Sequence, residues 1–216
     1  MEQQGLSGRR GQAARNDERI LAAARDVFMA DADAPISAVA SRAGVGISAL
    51  YRRYPSKEDL LRQLCADGLH LYLEEAEAAL TDVSDPWESF AAFLRRIVAA
   101  DVHSLTVRLA GTFTPTEEMF ADSVRSGELN EQLVARTKAS GELRADVRME
   151  DLPLVLEMVA AIRPGVFGDD ERTAELRQRY LSVCLDGLRS GGQPLSGAPP
   201  TAAELARRWV RRGIPG

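Results

Sequence analysis

An all-α fold is what this sequence predicts: a small N-terminal unit of three helices followed by a larger helical unit. Three observations carry the prediction. Ala, Leu, Arg and Glu dominate the 216 residues, and these types favour helix over sheet. Apolar residues recur at spacings of three and four in segment after segment. No convincing run of alternating apolar and polar residues occurs, and no internal repeat.

Each element has its own reason. Residues 1–15 are polar, Gly-rich and basic, and read as a mobile arm. Asn16 or Asp17 can cap a first helix whose apolar positions are Ile20, Leu21, Ala24, Val27 and Phe28. "DADAP" at 31–35 breaks it, and Pro35 leaves Asp33 or Ser37 to cap the next helix. That short helix carries Ile36, Val39, Ala40 and Ala43 on one face and stops at Gly44, a residue suited to a left-handed turn. A third helix runs from about Ile47 to Tyr54 and ends before Pro55. Ser56, with Asp59 three residues on, is a capping-box variant that opens a long fourth helix.

Beyond residue 80 the pattern stays helical. Asp85-Pro86 pairs an N-cap with proline at the first helical position, ahead of Phe90, Phe93, Leu94, Ile97 and Val98. "GTFTPTEEMF" at 111–120 is a loop that opens a helix at Thr116, and Gly127 and Gly141 punctuate the residues beyond it. Two strongly apolar helices, about 150–163 and 171–189, are separated by "RPGVFGDD". "SGGQPLSGAPP" is a linker, and "TAAELARRWVRR" an amphipathic tail helix. The expected divisions are an arm over 1–15, a first domain over 16–62, a second over 63–190, and a linker with tail over 191–216.

The formal net charge of −5 is an average of unlike parts. Residues 1–63 hold ten Lys/Arg against eight Asp/Glu, and residues 34–57 carry Arg42, Arg52, Arg53 and Lys57 with no acid. Such asymmetry is a hint of a nucleic-acid-facing end. Two short helices joined by a tight glycine-containing turn form a helix-turn-helix, whose second helix enters the major groove of DNA. Only the N-terminal residues of such a helix reach base edges, so two turns suffice. Gly46, Ser48 and Ala49 are small and let the backbone approach. Tyr51 can offer its hydroxyl to phosphate or base and its ring to a thymine methyl, whereas Tyr54 reads as core. Arg52 and Arg53 suit guanine edges or phosphates, and Lys57 sits where helix N–H groups also attract phosphate. With Ser37, Arg42 and Ile47 these residues make up the candidate DNA-contacting set.

"VASRAGVGISALYRRYPSKEDLL", Val39 to Leu61, resembles the signature of the TetR family of transcriptional regulators. The matching positions are Val39-Ala40, the Ala43-Gly44-Val45 turn, Leu50-Tyr51, Tyr54 and Ser56-Lys57. "GELRADV", Gly141 to Val147, is similar to a segment found in many members before the last two helices. Ser48-Ala49 depart from the Gly-Thr common in the nearest subgroup. The resemblance implies an all-helical homodimer with a DNA-binding domain and a larger ligand-binding and dimerisation domain. It implies a repressor on a palindromic operator, released by a small, mostly apolar molecule. On it, the last two helices would present Leu152, Val155, Leu156, Val159, Leu181, Cys184 and Leu188 to a second copy. Phe90, Phe93, Ile97, Leu105, Leu109, Phe113, Phe120 and Met158 would line the effector cavity, with Met119 and Leu133 nearby. Arg108 and Arg163 are candidate partners for a ligand carboxylate.

Other functions find less support. His70 and His103 stand alone on separate helices, Cys65 and Cys184 are far apart, and no metal or cofactor is expected. "GVG" at 44–46 lacks the strand and third glycine of a nucleotide loop. No Ser-His-Asp or Cys-His arrangement occurs, so no enzyme is expected. No stretch of ~18 apolar residues occurs and the N-terminus lacks a signal-peptide core, so a cytoplasmic, membrane-free protein is expected. Two further readings stay open. One is a regulator without a small-molecule inducer, with Trp209 in the tail as a docking element. The other is an all-α carrier or enzyme with a vestigial turn motif.

Overall fold

The structure, a computed structural model, describes residues 2–207, with side chains at 12 and 14–207. Among the described residues the elements are α-helices and one isolated bridge between Leu143 and Arg189. In chain order they are α1 (Glu2–Ala30), α2 (Ile36–Ala43), α3 (Ile47–Arg53), α4 (Lys57–Thr81), α5 (Pro86–Ala99), α6 (Val102–Leu109), α7 (Glu117–Ala139), α8 (Asp151–Ala160), α9 (Asp170–Leu188) and α10 (Ala202–Ala206). Among them no helix is long and apolar enough to cross a membrane.

Capping chemistry sets several of these boundaries as the sequence suggests. Ser56 accepts a hydrogen bond from the Asp59 N–H to open α4, Asp85 from Glu88 to open α5, and Thr116 from Met119 to open α7. Other boundaries differ. α1 runs unbroken from Glu2, so Asn16 and Asp17 lie inside it rather than capping it, and residues 2–15 of the expected arm are helical. Pro35 occupies the N-cap of α2 with no side-chain cap, so neither Asp33 nor Ser37 takes that role. Gly127 lies within α7 and does not interrupt it. α5 and α6 are separated at Asp101, which adopts φ 52°, ψ 30°. The tail helix is described as α10 alone, and Trp209 lies outside the described residues.

Two apolar cores organise the chain. The first joins α1, α2 and α3 to the start of α4, through residues such as Phe28, Val39, Leu50, Tyr54 and Leu61. It also takes in Leu105 and Leu109 of α6 and Phe113 after it. The second gathers the end of α4 with α5, α7, α8 and α9. α4 serves both: Leu60, Leu61, Leu64 and Cys65 belong to the first core, Leu73, Ala76 and Ala79 to the second. At 25 residues it is a rod of ~37 Å, and the expected division at 62/63 falls inside it.

Candidate nucleic-acid interface

The turn between α2 and α3 is built by Gly44. Its φ of 64° places it in the left-handed region, where a side chain is disfavoured. The Val45 N–H reaches Ala40 O at 3.1 Å and the Gly44 N–H reaches Ser41 O at 3.2 Å, closing the end of α2 as a Schellman motif. A Cβ on Gly44 would also stand 3.1 Å from Arg19 Nη2, which donates to Ala43 O at 2.6 Å.

α3 is short because only Leu50 anchors it. Leu50 is fully buried, and Tyr54 behind it is buried as well. The remaining positions turn outward. Ile47, Ser48, Tyr51, Arg52 and Arg53 are exposed, as are Ser37, Arg42 and Gly46, while Ala49 and Lys57 are half-buried. Tyr51 leaves 47% of its surface in solvent, an unusual share for an aromatic residue beside a core.

The four cations of this surface differ in how firmly they are held. Arg53 makes a fork with Asp17 of α1, at 2.9 Å from Nε and 2.6 Å from Nη2. The Tyr54 hydroxyl donates to the same carboxylate at 2.7 Å. The hydrogen bond from Arg53 holds the Asp17 carboxyl below its ordinary range, against the opposing effect of burial. Burial, and then the bond to Asp17, pushes the Tyr54 hydroxyl above its ordinary range. Arg42 pairs with Asp26 of α1 at 2.8 Å. Lys57 donates to Ala32 O at 2.9 Å and lies 5.2 Å from the Phe28 ring centroid. Arg52 has no hydrogen bond or ion pair with the described residues. Its charge, with the Tyr51 ring, is the part of the ridge most available to a partner. The Arg42 and Arg53 pairs are exposed on the arginine side, and such pairs exchange readily for phosphate.

The larger unit departs further from expectation. Phe90, Phe93 and Ile97 are buried in the second core, and Leu105, Leu109 and Phe113 in the first. Phe120 is 70% exposed and Met158 60% exposed, both on the outside. A large cleft of about 1190 Å³ lies between α1, α6, α8 and α9, and none of the eight expected pocket residues lines it. Arg108 and Arg163 do line it.

The expected dimer residues point inward too. Leu152, Val155, Leu156, Val159, Leu181 and Leu188 are buried in the second core and Cys184 is packed at its edge. The outward side of α8 and α9 instead carries Met158, Tyr180 and Val183, with Val166 and Phe167 exposed in the loop between them. Helical spacing held the signal: a stripe that buries Leu152, Val155 and Val159 leaves Met158 on its flank, facing away from the core.

A short cationic and aromatic helix on a glycine turn, fused to a larger helical unit, defines a helix-turn-helix DNA-binding regulator. Two family models agree: residues 20–64 match bacterial regulatory proteins of the tetR family, and residues 85–190 match the C-terminal domain of SbtR-like transcriptional regulators. The chain belongs to the TetR family of transcriptional regulators. Solved structures share the fold. A TetR transcriptional regulator from Streptomyces coelicolor, SCO0520, is 26% identical, with 81% of this chain and 99% of that one covered at a TM-score of 0.55. A TetR regulatory protein from Mycobacterium vanbaalenii is 26% identical over 83% and 98% of the two chains, at 0.54. A gamma-butyrolactone receptor, ArpA-like, is 17% identical over 92% and 95%, at 0.60. No curated protein matches the chain.

Proposed function

We propose that the protein is a cytoplasmic repressor that binds a palindromic operator as a homodimer and releases it when a small ligand binds. The observation that carries the reading is the outward ridge of Tyr51 and Arg52 on α3, set on the Gly44 turn, with Arg52 unpaired among the described residues. α3 enters the major groove. Ser37, Gly46, Ile47, Ser48 and Ala49 frame the approach, and Arg42, Arg53 and Lys57 exchange their internal partners for phosphates. The second copy packs on the outward side of α8 and α9, where Met158, Tyr180 and Val183 give an apolar surface. Twofold symmetry then sets the two reading helices about 34–36 Å apart, or a longer related spacing.

Selection of bound duplexes from a random pool tests this. The expected product is an inverted repeat whose binding weakens steeply with salt. Recovery of no duplex above background, or of sites without twofold symmetry, would overturn the reading.

A further inference from the structure

We propose that the cleft between α1, α6, α8 and α9 is an effector site for a small amphipathic carboxylate, seated on Arg177 and Arg108. This rests on the reading of the chain as a ligand-responsive regulator. It gives that regulator a site at the junction of its two units rather than inside the larger one.

Arg177 is the centre of the seat. It is 5% exposed, and its Nε donates to Ile162 O at 2.9 Å while Nη1 donates to Asp101 at 2.6 Å. Its Nη2 is buried and has no acceptor among the described residues. Arg108, which lines the same cleft, donates from Nη2 to Ala30 O at 2.9 Å, and its Nε is likewise buried without an acceptor among the described residues. A buried guanidinium nitrogen with no acceptor is costly, and an anion that reaches it from the cleft offsets that cost. Between its charged residues the wall is apolar, with Met29, Val98, Val107 and Ala160. An apolar body with one anionic head fits both features.

Apart from Asp101, which holds Arg177 Nη1, the carboxylates of the cleft are engaged elsewhere or face solvent. Glu175 takes Arg172 at 2.8 Å, Asp170 and Glu171 stand exposed at the rim, and Glu157 already interacts within the chain. Together they disfavour a doubly charged phosphate and favour a single negative charge.

The seat is wired to the DNA-binding unit through Asp101. Arg25 of α1 donates to the Asp101 carbonyl, to Ala100 O at 3.2 Å, and pairs with the Asp101 carboxylate at 3.4 Å. Arg177 of α9 holds that same carboxylate from the other side. Asp101 is therefore a clasp between α1 and α9. A ligand carboxylate on Arg177 competes with it and loosens the tie that positions α1 and, through Asp26, Arg42.

Titration calorimetry on the full-length protein, without DNA, tests the site with three probes of one shape: 4-phenylbutyrate, 4-phenylbutanol and 4-phenylbutylamine. The carboxylate is expected to bind at least about tenfold more tightly than either of the others. Arg108→Met and Ala161→Trp, both at partly open positions, each weaken it by about tenfold or more. Asp101→Asn removes the competitor and tightens it several-fold, an effect that structural damage does not produce. Equal binding of the alcohol, preference for the amine, no binding of any probe, or affinities indifferent to all three variants would each overturn the proposal. Binding with the expected pattern in a protein that captures no duplex leaves the site standing and removes the repressor reading. An operator-binding protein blind to 4-phenylbutyrate does the reverse.

Discussion

Two adjacent arginines on α3 carry the same charge and stand in different electrostatic positions. Arg53 is forked onto Asp17, whereas Arg52 has no such partner among the described residues. Arg52→Ala is therefore expected to weaken duplex binding and lower the slope of log affinity against log salt by roughly one phosphate's worth, about 0.9. Asp17→Asn is expected to do the opposite for affinity by releasing Arg53, while weakening the tie between α1 and α3. That tie depends on pH. The folded carboxyl of Asp17 lies below its ordinary value, so its contribution is complete above the unfolded range of about 4. It is lost as pH falls through the lower folded value. Thermal melts of the wild type and Asp17→Asn should thus differ by a constant amount from about pH 5 to 8 and converge below about pH 4. An unchanging gap down to about pH 2 would show that the pair contributes nothing.

Among the elements, glycines give the sharpest contrast. Gly127 sits inside α7 with its nearest would-be neighbour, the Met149 methyl, 3.9 Å from an added Cβ. Gly127→Ala is expected to stabilise the protein by about 0.5–1 kcal/mol, measured by chemical denaturation. Gly44→Ala faces both a left-handed backbone and Arg19, and should destabilise by about 1–2 kcal/mol or more. Ser56, Asp85 and Thr116 made helix starts legible, because a cap is a local hydrogen bond between near neighbours. The break at Asp101 was not legible. Asp is neither Gly nor Pro, and its left-handed backbone is held by Arg25 and Arg177, partners distant in sequence. The same limit explains the pocket residues: Phe90 and Leu109 announce burial, but periodicity does not say which of two cores receives them. For the reading helix, Leu50 alone fixes which way the helix turns, so its exposed residues followed from the sequence.

At the scale of the molecule, the outward side of α8 and α9 should set the oligomeric state. Val183→Glu places a charge amid Met158 and Tyr180, and is expected to shift the protein from dimer to monomer in sedimentation velocity. Operator affinity should fall with it, because one reading helix loses the avidity of two. A variant that remains dimeric would place the interface elsewhere. The two apolar cores share α4, and α6 leaves the larger unit to close the smaller one.

Sharing α4 has a thermal consequence. If its first half lost order, Leu73, Ala76 and Ala79 would be left on a frayed stub, so neither end can melt while the other stays intact. Heating should accordingly give a single calorimetric peak without a shoulder, and the isolated first 62 residues, deprived of Leu64, Leu105, Leu109 and Phe113, should fail to hold a fold of their own.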